Sequence, residues 1–165
     1  SFTLLFGGLS LAALTHLTRH RMQSMTAPQL LRNARYDRYV LPQSVRETGM
    51  EEIYRAAFRL AGETAAQLRA MGAGDDVLGY LLLSGQTVPL TTMNAGELYV
   101  FFRLRCCTRA QWEIRDAACQ ALHALREKIP GLFSLYGPTC YCTGKCPEGR
   151  MTCGRQAEMK QKFGM

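Results

Sequence analysis

The stretch Thr91–Arg115, TTMNAGELYVFFRLRCCTRAQWEIR, sets the class of fold. Its opening residues finish a β-branched run, Thr87 to Met93, that reads as a strand. Asn94 stands where a helix N-cap belongs, and Glu97 three residues on completes a capping-box pattern. Leu98, Phe101, Phe102 and Arg105 then recur at i, i+3, i+4 and i+7, which predicts a helix over 95–105 with an apolar face. A second helix is predicted over 109–128, with Ile114, Ala118, Ala121 and Leu125 as its core stripe and Pro130 marking the break.

Working outward, residues 1–8 (SFTLLFGG) read as a strand ended by a glycine pair. Ser10 can cap a helix running to about Gln23, in which Leu9, Ala13, His16 and His20 share a face that passes from apolar to imidazole. Residues 25–37 are irregular around Pro28, and 36–41 read as a short strand closed by Pro42. Tyr54, Phe58, Ala61, Ala65 and Leu68 form the stripe of a long helix that Gly72 to Gly74 stop. Strands and helices mix without a repeated strand-helix-strand alternation, which predicts an α+β domain over 1–155. Within it, 137–155 read as a Cys/Gly/Pro-rich loop, and 156–165 as a polar, mobile tail.

The composition excludes several classes. Apolar residues make up 47% and charged residues 20%, so the 165-residue chain can build a real core and is no disordered segment. No apolar run reaches the roughly 18 residues of a membrane span, and no basic start of a secretory signal is visible. The chain opens at Ser1-Phe2 without a methionine and already reads as strand, from which loss of N-terminal sequence is expected. The formal charge of +7 rests on 16 Arg and 4 Lys, and guanidinium suits planar, bidentate holding of phosphate or carboxylate. No block of five like charges occurs, so a nucleic-acid tail is not expected. With no secretory signal, the seven cysteines are expected as reduced thiols in a cytoplasm.

Four constellations carry chemistry. Arg19-His20-Arg21 either complements the dipole at a helix C-terminus or turns at least one member into a cleft for an anion. Arg105 lies on the apolar stripe of its own helix, so it either snorkels to the surface or meets an anionic or carbonyl-rich partner. The Asn94 junction is a sound cap and also a standing site for an electron-rich ligand group. Cys140, Cys142, Cys146 and Cys153 fall within 14 residues and could close a tetrahedral zinc site, or stand as free thiols in a structured loop. No Walker or G-x-G-x-x-G loop is present, and neither a Ser-His-Asp triad nor a Cys-His nucleophile can be built from the three histidines.

SFTLLFGGLS, THLTRHRMQS, RYVLP, the stretch from Thr91 to Arg115 and GPTCYCTGKCPEGRMTCG together resemble the flavin-dependent thymidylate synthases, in order and spacing over nearly the whole chain. The R-H-R-x-x-S block at Arg19–Ser24 and AQWEIR at Ala110–Arg115 are the most specific matches. The resemblance implies a single α+β domain with an antiparallel sheet and long helices. It implies an enzyme that makes dTMP from dUMP, with methylenetetrahydrofolate as carbon donor, reduced FAD as hydride source, and NADPH. It also implies a homotetramer whose active sites are shared between subunits. Carried over by position, Arg19, His20, Arg21, Asn94 and Arg109 are expected at FAD. His16, Arg19, Ser24, Gln29 and Arg105 are expected at the nucleotide, with Arg105 favouring the ionised N3 of uracil.

The sequence departs from the family pattern at the phosphate end of the nucleotide. The serine and arginine that follow the R-H-R block are Gln29 and Leu31, the glutamine before it is His16, an arginine lent by another subunit is Leu78, and the arginine of N-A-R is Gly96. Three readings follow: a synthase that holds phosphate with other cations such as Arg32 and Arg35, a flavin-binding paralogue with another nucleotide substrate, and a silent, zinc-stapled interaction module.

Overall fold

The computed structural model describes residues 1–29, 36–83 and 89–164, together with the backbone of Gln86 and Thr87. In chain order the elements are β1 (Phe2–Leu5), β2 (Leu9–Ser10), α1 (Leu11–Leu17), β3 (Ser24–Thr26), α2 (Gln43–Glu47), α3 (Glu51–Ala70), α4 (Asp75–Leu78) and a 3-10 turn at Gly79–Leu81. Then come β4 (Gln86–Thr87), β5 (Leu90–Met93), α5 (Ala95–Arg105), α6 (Trp112–Lys128), α7 (Pro130–Phe133), α8 (Thr139–Thr143), a second 3-10 turn at Gly149–Met151 and α9 (Gln156–Phe163). One sheet has the order β1-β5-β3, and the other is the antiparallel pair β2-β4 with Leu9 opposite Thr87 and Ser10 opposite Gln86. Long helices together with small sheets, one of them the antiparallel β2-β4 pair, are the expected α+β class.

The described residues gather into two compact units. The first takes Ser1–Leu4, Thr15–Met25 and the described residues from Thr91 onward. Its core is aromatic: Phe101, Phe102 and Phe133 are wholly buried, beside Leu98, Ile114 and Leu122. Rings meet edge to face, Phe133 on Tyr136 at 4.9 Å and Phe2 on Phe133 at 5.1 Å. Burying one such ring contributes about 1.5–3 kcal/mol, so the α5 face that the sequence marked as apolar anchors this unit. On α6 the buried residues are Glu113, Ile114, Ala118 and Leu122, so the stripe runs i, i+4, i+8 through Leu122, one residue after the predicted Ala121, and leaves Ala121 and Leu125 half-buried.

Helix α9 differs from the mobile tail expected at 156–165. Met159 and Phe163, one helical turn apart, are buried, and Arg126 spans the rings of Tyr141 and Phe163. Met159 and Phe163 at i and i+4 give this polar segment one apolar face to bury. Likewise the expected loop at 137–155 contains α8 and a 3-10 turn.

The second unit holds Leu5–Leu14 and the described residues within 26–90. Its α3 buries Phe58, Ala61 and Ala65 and ends where Gly72 adopts φ +87°, a conformation glycine takes without strain. The strand expected at 36–41 does not form; only Tyr39 makes an isolated bridge. Packing against α3 wins over pairing here. Tyr39 stacks on Phe58 at 4.6 Å and receives Arg55 Nη1 on its hydroxyl at 2.8 Å, while Tyr54 donates to the Val40 carbonyl at 3.2 Å. Gly62 permits the approach, because a Cβ there would lie 2.9 Å from the Cβ of Tyr36.

Candidate functional site

Helix α1 is shorter than its sequence suggests, and that shapes the site. Ser10 caps it as expected, accepting from the Ala13 N–H at 3.1 Å. The Leu17 carbonyl, which a continuing helix would give to the Arg21 N–H, instead accepts from His20 N at 3.1 Å and from Gln23 Nε2 at 2.7 Å. Arg19-His20-Arg21 therefore sits in a turn beyond the helix, not in its last turn. Gln23 is in turn fixed by Thr91, whose wholly buried hydroxyl donates to Gln23 Oε1 at 2.6 Å.

This turn faces the apolar side of α5. Arg105 resolves the question its position posed: Nε donates to His20 Nε2 at 2.9 Å, and Nη2 donates to the His16 carbonyl at 3.0 Å. A guanidinium on an apolar stripe is thus matched by a carbonyl and an imidazole. These contacts use two of the five N–H donors that a guanidinium carries. The His20 ring also rests edge-on against Phe101 at 5.1 Å. Burial, and then the Arg105 charge, lower the His20 pKa to about 4, so its imidazole is neutral and accepts at Nε2. His16 is lowered by the same two causes and by Arg19. Burial and the Arg19 charge lower Arg105 in their turn.

Around this contact lies a cavity of about 350 Å³. Its cationic wall is Arg19, Arg21 and Arg105, with His20; Met93, Val100 and Leu104 make the apolar wall. Gln23 and Glu97 line it too, and sequence reasoning did not place either at the ligand. Glu97 is committed to the capping box, its carboxylate accepting from the Asn94 N–H at 2.7 Å while Asn94 Oδ1 accepts from the Glu97 N–H at 2.9 Å. The pattern that revealed the cap also held the signal for Glu97, because an N3 side chain stands beside the strand-to-helix junction.

The other expected site residues are dispersed. His16 enters through its carbonyl. Asn94 caps α5, and Ser24 lies exposed in β3 with its carbonyl accepting from Thr91 Oγ1 at 3.3 Å. Arg109 lines a second cavity of about 340 Å³. Gln29 is exposed in the second unit, where Leu78 is buried. Leu31, Arg32 and Arg35 lie outside the described residues. His123 is exposed and pairs with Glu127 at 3.3 Å.

Of the two readings of Cys140, Cys142, Cys146 and Cys153, the zinc site is not formed. Among the described residues no three His, Cys, Asp or Glu side chains are arranged to hold a metal ion. Cys140 and Cys142 are two residues apart on α8, so a helical rise turns them to different sides. Cys140 is buried towards the second cavity, while Cys142 Sγ donates to the Gly137 carbonyl at 3.2 Å.

Comparison with known proteins matches this architecture. The family model for thymidylate synthase complementing protein covers residues 1–131. The flavin-dependent thymidylate synthase of Geobacter sulfurreducens is 39% identical over 168 residues, spanning 99% of this chain and 72% of the relative. That of Clostridium tetani is 35% identical, spanning 99% and 73%. The crystal structure of Thymidylate Synthase X from Helicobacter pylori with FAD and dUMP superposes with a TM-score of 0.62 at 25% identity, covering 79% of this chain and 70% of that one. The UMP/dUMP methylase PolB of Streptomyces cacaoi shares the fold, with a TM-score of 0.70 at 21% identity over 82% of this chain and 72% of that one. An α+β chain with these relatives along nearly its whole length belongs to the flavin-dependent thymidylate synthase family.

Proposed function

We propose that the chain methylates dUMP to dTMP reductively, with methylenetetrahydrofolate as carbon donor, FAD as the flavin and NADPH as reductant. The observation that carries this is the Arg19–His20–Arg21 turn meeting Arg105 on one cavity with an apolar wall. That donor set fits FAD: guanidinium groups suit its diphosphate, and Met93, Val100 and Leu104 suit a flat ring system. When bound, reduced FAD supplies the hydride that completes the methyl group.

The chain's own residues do the rest. Arg105, held by His20 and the His16 carbonyl, has further N–H donors for a uracil oxygen or an N3 anion, and a half-buried cation stabilises such charge more strongly than one in water. Neutral His20 keeps Arg105 from being drawn to solvent and adds no positive charge of its own. Arg19 and Arg21 supply exposed cations at the cavity mouth. Asn94 and Arg109 enter this reading through the family pattern, as residues that meet the flavin from outside the cavity itself.

A cavity of about 350 Å³ is small for a dinucleotide plus a nucleotide, since sites for single ligands already run to ~300–1,000 Å³. We therefore read the working form as a homotetramer with shared sites and residues 1–155 as the synthase-like domain; light scattering should report about four times the 18.5 kDa chain mass. Among the described residues no helix is long and apolar enough to cross a membrane. The small-molecule substrates and the free thiols fit a cytoplasmic enzyme.

The test is an anaerobic assay with dUMP, methylenetetrahydrofolate, FAD and NADPH, read as dTMP formed. No dTMP from protein shown to bind FAD would leave the flavin paralogue with another nucleotide substrate; failure to bind FAD as well would leave the interaction module.

A further inference from the structure

The cysteines regroup in three dimensions. Cys107, from the turn between α5 and α6, takes the place that spacing gave to Cys142. With Cys140, Cys146 and Cys153 it lines the cavity of about 340 Å³ that also carries Arg103, Thr108 and Arg109. Three separate segments thus bring four thiols to one wall, and each of the chain's seven cysteines is free. They do not converge on a common centre that could hold a metal. A disulfide asks for less, because only two sulfurs must meet.

The four thiols are not equivalent. Cys140 is only 7% exposed. Burial pushes its thiol up, as do the neighbouring Cys107, Cys146 and Cys153, so the surroundings of Cys140 include the other three. Cys153 is more open, and its thiol is held below the ordinary range, first by the nearby Thr108 hydroxyl, then by the backbone N–H groups about Arg155 and Cys153 and by the Arg155 charge. Thr108 Oγ1 is buried and makes no hydrogen bond of its own, so it stands as an unspent polar atom on the same cavity wall. The attacking species in thiol chemistry is the thiolate, so Cys153 is placed to attack first and Cys140 only after its proton has been taken.

We propose that Cys153 and Cys140 form a redox modification site: Cys153 attacks a low-molecular-weight disulfide, and Cys140 resolves the product into an internal disulfide. In the first step the Cys153 thiolate bonds to one sulfur of the small disulfide, whose S–S bond breaks and whose other half leaves as a thiolate. That thiolate takes the proton of Cys140. The Cys140 sulfur then attacks Cys153 and expels the second half. The two protein thiols lose two electrons and two protons, and the small disulfide gains them as two thiols. Leu104 and Arg105 line both this cavity and the candidate active-site cavity, so the pair sits one wall away from the Arg105–His20 contact.

The test treats the intact chain with oxidised glutathione, blocks residual thiols by alkylation, and maps tryptic peptides by mass spectrometry. Lys145 and Arg150 separate Cys140, Cys146 and Cys153 into three peptides. The expected product is a cross-link between the Cys153 peptide and the peptide bearing Cys140 and Cys142, kept in Cys142→Ser and lost in Cys140→Ser. In Cys140→Ser the glutathione adduct should accumulate on Cys153, and in Cys153→Ser the Cys140 peptide should stay unmodified at the same exposure. If Cys140→Ser fails to fold, the alkylation rate of Cys153 against pH in the native chain reads the attacking thiolate directly, and a midpoint below the ordinary thiol range is expected. A cross-link from Cys153 to Cys146 or Cys107, a Cys153 alkylation midpoint at or above the ordinary range, or stoichiometric zinc protecting all four thiols would each overturn the assignment.

Discussion

Arg105 Nε donates to His20 Nε2 at 2.9 Å, across 85 residues of sequence. The bond fixes the protonation of the imidazole: Nε2 must be the acceptor, so the ring is neutral with its proton on Nδ1. The same guanidinium ties the His16 carbonyl, so the turn that carries Arg19 and Arg21 is fastened to α5 at one point. Loss of that fastening, or of the proton state it needs, should be visible in stability and in ligand binding separately.

The pH dependence follows with a definite sign. His20 titrates at about 4 in the folded chain and near 6.5 when unfolded, and His16 is lowered in the same direction. Above pH 6.5 both states are neutral and the group contributes nothing. As pH falls from about 6.5 to about 4 the unfolded chain takes up the proton first, so folding stability is lost over that window, by at most ~3 kcal/mol for His20 before discounting for its partial exposure. Urea denaturation at pH 7, 5.5 and 4.5 measures this, and His20→Gln should flatten the slope. An equal slope in wild type and variant would show that the imidazole is not held neutral.

Replacing Arg105 separates structure from function. Arg105→Ala leaves the His16 carbonyl and His20 Nε2 without their donor, which should cost about 1–3 kcal/mol of stability. We expect it to abolish dUMP binding in a calorimetric titration while the chain stays folded. Unchanged dUMP affinity in a folded Arg105→Ala protein would remove Arg105 from the site.

Flavin affinity should track the two exposed arginines. Full-length protein is expected to bind FAD at micromolar levels in a fluorescence titration, and Arg19→Ala or Arg21→Ala should each weaken it by roughly tenfold to a hundredfold, the loss of one charged contact. Absence of binding up to about a millimolar would be incompatible with any flavoenzyme reading.

The substituted phosphate positions give the sharpest contrast. A nucleotide phosphate carries close to two negative charges and favours charge-assisted donors, of which Gln29 offers none and Leu31 no donor at all. Gln29→Ser combined with Leu31→Arg should therefore tighten dUMP binding by about tenfold or more. Tight binding by the wild type, weakened by the double change, would mean that other residues hold the phosphate.

What the sequence determined by itself is local. The α5 boundaries, its capping box and its buried face were legible, because an N-cap, an i+3 carboxylate and an apolar stripe act within two helical turns. The partner of Arg105 was legible only as a type, carbonyl or anion, from the cost of burying an unmatched cation. Its identity needed the tertiary structure, since His16 and His20 reach α5 only because Gln23 and His20 take the Leu17 carbonyl and end α1 early. The same holds for 36–41, where Tyr39 prefers the α3 face to a sheet edge, and for α9, whose two buried residues are too few to announce a helix. It holds most for the cysteines. Spacing grouped Cys142 with its neighbours, but α8 turns it away and the α5–α6 turn brings in Cys107, because which thiols share a wall is decided by helix direction and packing, and neither is written in the distance between residues along the chain.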